Sequence, residues 1–188
     1  GQLPQLNDAA KGASRFAEWA RSQGIDNTTV ITDQRGRVTL QDIKDAITAI
    51  VDQGTTEQLI VYFAGHGVNI ARNEYWLLSD APRDTGAAVN LKGSETLARY
   101  CGIPHVVFFS DACRTAAEGV QAQSVTGGEI FPNDEAAGLE LPVDQFFACT
   151  LGRPAHEIKD PNITSREYDA IYTGVLLDAL RGRQPATD

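Results

Sequence analysis

The sequence has no cluster of lysines or arginines anywhere along its 188 residues, and 16 basic residues stand against 25 acidic ones for a formal charge of −9. A nucleic-acid surface needs a basic patch or stripe, so nucleic acid is excluded as a partner. The acidity is compatible with a cationic substrate without establishing one. Long apolar runs are missing as well. The longest, Leu59 to Ala64, is far short of the roughly 20 residues that span a bilayer, so no membrane partner is expected. The N-terminus has no signal-peptide pattern. Cysteine is scarce: three residues, an odd number without metal-ligand spacing, which points to a reducing compartment and a cytoplasmic protein. In that compartment the glycosylation triplet Asn162-Ile163-Thr164 carries no meaning. No glycine-rich phosphate loop follows the first strand, which removes the main signature of a nucleotide-binding domain. Repeats and low-complexity tracts are also absent.

What is present is an ordinary globular composition, 42% apolar, long enough for one domain with a full core and short for two. Leu6 to Gln23 reads as an amphipathic helix, with Ala10, Ala13, Phe16, Ala17 and Ala20 at helical spacing, Asn7 or Asp8 as its cap and Gly24 at its end. Thr28 to Thr32 is a β-branched run that predicts a strand. Thr39 with Asp42 forms a capping-box relative before a second helix, whose stripe is Leu40, Ile43, Ala46, Ile47 and Ile50 and whose stop is Gly54. Strands are expected at Leu59–Ala64, Glu74–Ser79, Val106–Phe109 and Gln145–Thr150, and helices at Asn90–Tyr100 and Tyr168–Leu180. Between Thr115 and Leu141 the pattern dissolves, as in a functional or mobile loop. Alternating strands and helices predict an α/β fold, a three-layer α/β/α sandwich around a mostly parallel sheet. Such a sheet normally leads with a strand, whereas this chain opens on a helix, so a first strand is expected to be missing from the N-terminus.

Two of the predicted strands end in residues able to do chemistry. Leu59 to Ala64 runs into Gly65-His66-Gly67, and Val106 to Phe109 runs into Ser110-Asp111-Ala112-Cys113-Arg114. In open α/β sheets the ligand crevice lies beyond the carboxyl ends of the strands. A histidine leaving one strand and a cysteine leaving another would face each other there, as a thiol nucleophile and its base must. A lone buried cysteine is more often structural, and Cys101 and Cys149 are read that way; His105 and His156 are read as surface or satisfied core residues. His66 is set apart by its two flanking glycines, where backbone approaches something closely. Cys113 is set apart by the polar cluster that ends its strand.

The two motifs together resemble those of the caspase-like cysteine peptidases of clan CD. Tyr62-Phe63-Ala64-Gly65-His66-Gly67 is similar to their histidine motif and Asp111-Ala112-Cys113-Arg114 to their cysteine motif, with Cys113 47 positions after His66 against roughly 50 in caspases. Leu6-Asn7-Asp8-Ala9, Phe147-Ala148-Cys149-Thr150 with Ala155-His156-Glu157, and Tyr172-Thr173-Gly174-Val175-Leu176-Leu177 extend the likeness along the chain. The bacterial metacaspase-like peptidases, or orthocaspases, are the nearest subgroup. This resemblance implies that Cys113 is the nucleophile, that His66 is its base and the acid for the leaving amine, and that the backbone N–H groups of Gly67 and Cys113 form the oxyanion hole. It also implies that Asp111, two residues before the cysteine, and Asp8 line the S1 pocket. Two carboxylates there would select a cation at P1, and a planar guanidinium gains bidentate hydrogen bonds, so Arg is expected over Lys. Arg114-Thr115 departs from the His-Ser or Arg-Gly that usually follows the cysteine.

The implied organisation is one peptidase domain over residues 1–188. Within it a large-subunit-like half covers residues 1–114, a linker runs over about 115–143, and a small-subunit-like half covers residues 144–188. The expected partner is a protein or peptide substrate with a basic P1 residue, along with a regulatory partner or flanking domain. No cofactor is expected; Asp80, Asp84, Asp134 and Glu135 are acidic loop residues that do not assign a calcium site. The rival readings are an inactive caspase-like interaction module, which the intact His66/Cys113 pair argues against, and a flavodoxin-like effector-binding domain.

Overall fold

The computed structural model describes residues 6, 9–25, 27–117, 119–133, 138–150, 157–158 and 169–183. Helix α1 (Ala9–Ser22) comes first and buries Phe16, Trp19 and Ala20. Helix α2 (Leu40–Gln53) begins at a complete capping box. The Thr39 hydroxyl accepts from the Asp42 N–H, and the Asp42 carboxylate accepts from the Thr39 N–H, so two otherwise unpaired first-turn donors are satisfied. Its end is Gly54 in the left-handed region, φ 64°, where a Cβ would be strained. Strand β1 (Gln58–Gly65), the hairpin β2 (Gly67–Ile70) and β3 (Asn73–Leu77), and the short β4 (Ala88–Asn90) follow. Helix α3 (Leu91–Ala98) is capped by the Asn90 side chain, which accepts from Gly93 N–H. Then come β5 (His105–Ala112), β6 (Thr115–Ala116), α4 (Gly119–Gln123), β7 (Val143–Phe147), β8 (Glu157–Ile158), β9 (Asp169–Ala170) and α5 (Ile171–Leu180).

The central sheet is parallel, in the order β1-β5-β7. Side-chain alternation divides it between two helical layers. Val106 and Phe108 of β5, with Leu59, Val61 and Phe63 of β1, pack toward α2 and α3. Val107 and Phe109, with Ile60 and Tyr62, pack toward Phe16, Trp19 and Ala20 of α1 and Leu177 of α5. The expected α/β/α sandwich around a mostly parallel sheet is therefore present. A second sheet, β4-β3-β2-β6, stands beyond it, antiparallel within β2-β3-β4 and parallel where β2 meets β6. Among the described residues no helix is long and apolar enough to cross a membrane.

Three expectations are corrected. Thr28 to Thr32 is not a strand: it has no sheet partner among the described residues, and the adjacent Val30 and Ile31 are both exposed. β propensity without a neighbouring ladder leaves single extended chain, and a half-buried strand would have hidden one of two adjacent side chains. Strand β5 does not stop at Phe109 but runs on through Ser110, Asp111 and Ala112. Its buried hydroxyl has a partner, since the Trp76 indole N–H donates to Ser110 Oγ at 2.9 Å. Finally, the weakly patterned stretch after Thr115 is not a loose loop throughout. Val125 is buried and Ile130 and Phe131 are fully so. Its backbone is laced to the core by Gly128 N–H to Ala88 O at 2.9 Å and Asn90 N–H to Gly128 O at 2.8 Å, while Ile130 N–H donates to the buried Ser94 Oγ at 3.2 Å.

Candidate active site

Strands β1 and β5 keep one register from Gln58 opposite His105 to Gly65 opposite Ala112. The same offset resumes after a gap of two positions, with Val68 of β2 opposite Thr115 and Asn69 opposite Ala116 of β6. His66 and Cys113 therefore occupy matching positions in the gap between the two parallel ladders, at the carboxyl end of the central sheet. Both are half-buried. The last strand positions of that parity, Ala64 of β1 and Asp111 of β5, lie on the face of Tyr62 and Phe109, toward α1 and α5.

The backbone on either side is fixed. The His66 carbonyl accepts from Leu77 N–H at 2.8 Å, tying the turn after β1 to the end of β3. Gly67 is buried against the Cys113 backbone, and a Cβ there would overlap the Cys113 carbonyl oxygen and come within 3.0 Å of the Ala112 side chain. Only glycine lets the two chains approach this closely, which accounts for the second glycine of Gly65-His66-Gly67.

Asp111 is 9% exposed. Its Oδ2 accepts from the Thr173 hydroxyl at 2.5 Å, and the Tyr62 hydroxyl meets Thr173 Oγ1 at 2.5 Å. Thr173 stands in the first turn of α5, so its hydroxyl and its backbone both face the Asp111 charge. Burial pushes the Asp111 carboxyl above the usual carboxylate range, and these two Thr173 groups oppose that shift without cancelling it. Tyr172 stands close enough that burial and the Asp111 charge push its phenol up to about 12.

Arg114 holds the other flank. Its guanidinium pairs with Glu74 of β3, donates to the Cys149 carbonyl at 3.2 Å, and lies 3.9 Å over the centre of the Phe147 ring. One side chain thus ties the turn after β5 to β3 and to the end of β7. Cys149 lies just past β7, its Sγ 3.6 Å from the Ala112 carbonyl oxygen, and burial raises its thiol above the ordinary value.

The remaining sequence candidates are spread elsewhere. Asp8, with Asn7, lies outside the described residues, as do His156, Asp134 and Glu135. Cys101 is buried in the α2/α3 core. His105 is at the start of β5, between Gln58 and Asp144 at 2.7 and 2.9 Å, at the opposite end of the strand from Cys113. Asp80 pairs with Arg37 at 3.0 Å and Asp84 accepts from Gly86 N–H at 2.9 Å; both are engaged in local structure. Sequence reasoning gave no role to Thr173 or Tyr62, and none to Arg114 beyond its departure from the motif. The one signal for Thr173 is a polar residue four before Leu177, on the stripe of α5 that is fully buried at both positions.

A comparison with curated proteins gives no match. The family model of Peptidase C14, the caspase domain, matches residues 2–187. Nearly the whole chain is covered, and the α/β sandwich around a mostly parallel sheet agrees with that match: the chain belongs to the caspase-domain family of cysteine peptidases.

Proposed function

We propose that this caspase-domain chain is an active endopeptidase of the metacaspase-like, orthocaspase kind, cleaving protein substrates after Arg and less often after Lys, in regulated proteolytic signalling. The observation that carries the reading is the shared register of the two parallel ladders, which sets His66 opposite Cys113. In the reaction His66 takes the thiol proton, and the Cys113 sulfur forms a bond to the scissile carbonyl carbon. The oxyanion is met by backbone N–H groups of Gly67 and Cys113, each such donor being worth about 2.7–4 kcal/mol of transition-state stabilisation. Collapse breaks the C–N bond, the amine leaves with the proton held by His66, and water then hydrolyses the thioester. Asp111, with Asp8 as a second acid, supplies the negative charge that holds the P1 cation. A cytoplasmic setting rests on the odd number of cysteines.

The test is a fluorogenic peptide panel with Arg, Lys or Asp at P1. The parent should cleave Arg best and Asp not at all, and Cys113→Ala and His66→Ala should each abolish turnover while remaining folded. Asp111→Asn should lower kcat/KM for Arg peptides roughly 10- to 100-fold, as expected for loss of a charge-assisted contact. Turnover by folded Cys113→Ala would overturn the nucleophile, preference for Asp at P1 would overturn the specificity, and a folded parent inert toward every peptide would favour an interaction module.

A further inference from the structure

Asp111 cannot choose its own orientation. It stands on a buried strand, and the side chain that fixes it comes from another element 62 residues along the chain, through the Thr173 hydroxyl. A carboxylate only accepts, so Thr173 must donate its proton to Oδ2. Its oxygen is then left as an acceptor, and the Tyr62 hydroxyl, 2.5 Å away, donates to it. The relay Tyr62 to Thr173 to Asp111 therefore has one direction as long as the carboxylate is ionised. Thr173 lies in the first turn of α5, where unpaired N–H groups and the helix dipole favour negative charge. Helix α1 closes over the relay: a Cβ on Gly12 would lie 3.0 Å from the Tyr62 hydroxyl and 3.5 Å from Thr173 Oγ1.

We propose that Thr173 is a specificity-determining positioning residue: with Tyr62 behind it, it holds the Asp111 carboxylate ionised and in a fixed plane for the P1 cation. This deepens the proposed basic specificity and rests on it. A hydrogen bond to a charged group is stronger than a neutral one. Losing it costs twice here, once in the energy of the anion and once in the rotamer freedom that a P1 guanidinium must then freeze out. Among the described residues, the ionisable groups tied to this cluster are Tyr62 from β1, Tyr172 from α5 and Arg15 from α1, which acts on Tyr62, with Cys113 two residues beyond Asp111. Thr173 differs from all of these in that it donates directly to the acid without titrating.

The experiment compares parent, Asp111→Asn, Thr173→Val, Thr173→Ser and Tyr62→Phe on an Arg-P1 peptide across pH 5 to 9. Alkylation of Cys113 by iodoacetamide serves as a readout of the folded nucleophile that does not pass through S1. For Thr173→Val we expect KM to rise roughly tenfold, with kcat within about twofold and alkylation at the parental rate. The acid limb of kcat/KM should move to higher pH, since an acid deprived of a donor gives up its charge sooner. Thr173→Ser should restore KM and the limb, and Tyr62→Phe should fall between. A Thr173→Val enzyme with parental KM and parental acid limb would overturn the proposal while leaving the S1 reading intact. If Asp111→Asn itself cleaved Arg peptides like the parent, the S1 reading would fail and Thr173 with it. A Thr173→Val loss that Thr173→Ser did not rescue would mark a packing role only, and would also overturn it.

Discussion

Asp111 is the seventh residue of an eight-residue strand whose other seven positions include only apolar side chains, one serine and an edge histidine. An ionised carboxylate in that setting costs stability, and the sign is fixed by the direction of its shift. Its carboxyl titrates higher in the folded chain than in the unfolded one. Between those two values the native state binds the extra proton, so stability falls as pH rises through the window and stays lower above it. Asp111→Asn keeps an oxygen for Thr173 and removes the charge, so it should raise Tm at neutral pH while lowering Arg-peptide cleavage. Each kcal/mol recovered is worth about 2–4 °C in a chain of this size. The gain should shrink as the pH is lowered below the window, where the parent's carboxyl is also neutral. Melting curves of the two proteins from pH 4 to 8 test this: a variant less stable than the parent at neutral pH would mean that Asp111 is a stabilising cap of α5 and nothing more. The residue is thus expected to trade stability for substrate charge recognition, as buried ionisable groups at active sites commonly do.

At the scale of elements, the stretch after Thr115 changes most between sequence and structure. Phe131 is fully buried and meets Phe108 edge-on, with ring centroids 5.9 Å apart, and Ile130 beside it is fully buried too. Phe131→Ala should therefore cost about 3–5 kcal/mol, as for other buried aromatic truncations. Leu139→Ala, at a position 60% exposed, should stay within about 0.5 kcal/mol. Urea unfolding of both variants decides it, and a Phe131→Ala cost near that of Leu139→Ala would mean the segment is not part of the core. The sequence hid this because the segment crosses the core once, pinned by backbone bonds and three buried side chains, with neither helical nor strand period to reveal it. Strand β5 was hidden past Phe109 for a related reason: Ser110 and Asp111 look like a turn until their partners Trp76 and Thr173, distant in sequence, are in place. The elements with strictly local causes were legible, such as the capping box at Thr39 and Asp42, the Asn90 cap and the glycine stop at Gly54. So was the candidate pair His66 and Cys113, since a parallel sheet needs only two strand ends with chemistry on each. The second sheet was not, because β4 and β6 are three and two residues long, too short to show a period.

At the scale of the whole molecule, the connection between β6 and β7 offers the proposed basic specificity no P1 residue to accept. From Thr115 to Gly152 there is no Lys or Arg, while Glu118, Glu129, Asp134, Glu135, Glu140 and Asp144 fall inside it. The same connection carries Val125, Ile130 and Phe131 into the core and hydrogen-bonds to β4 and α3 through Gly128 and Ile130. Releasing it would expose apolar area worth about 25 cal/mol per Å², so the chain gains nothing from separating there. Under the proposed basic specificity, the enzyme should work as one uncut chain. Following intact mass during turnover of an Arg peptide tests this, and a single species of unchanged mass is expected throughout. Leu139→Arg supplies a positive control, since it places an acceptable P1 residue at an exposed position outside the buried stretch. Incubated with active enzyme, the inactive double variant Leu139→Arg/Cys113→Ala should be cut after position 139, and Cys113→Ala alone should not. A cut anywhere between Thr115 and Gly152 of the parent, absent when Cys113 is replaced, would refute both the single-chain enzyme and its restriction to basic P1 residues. The acidic, core-anchored connection would then be a processing site for another specificity.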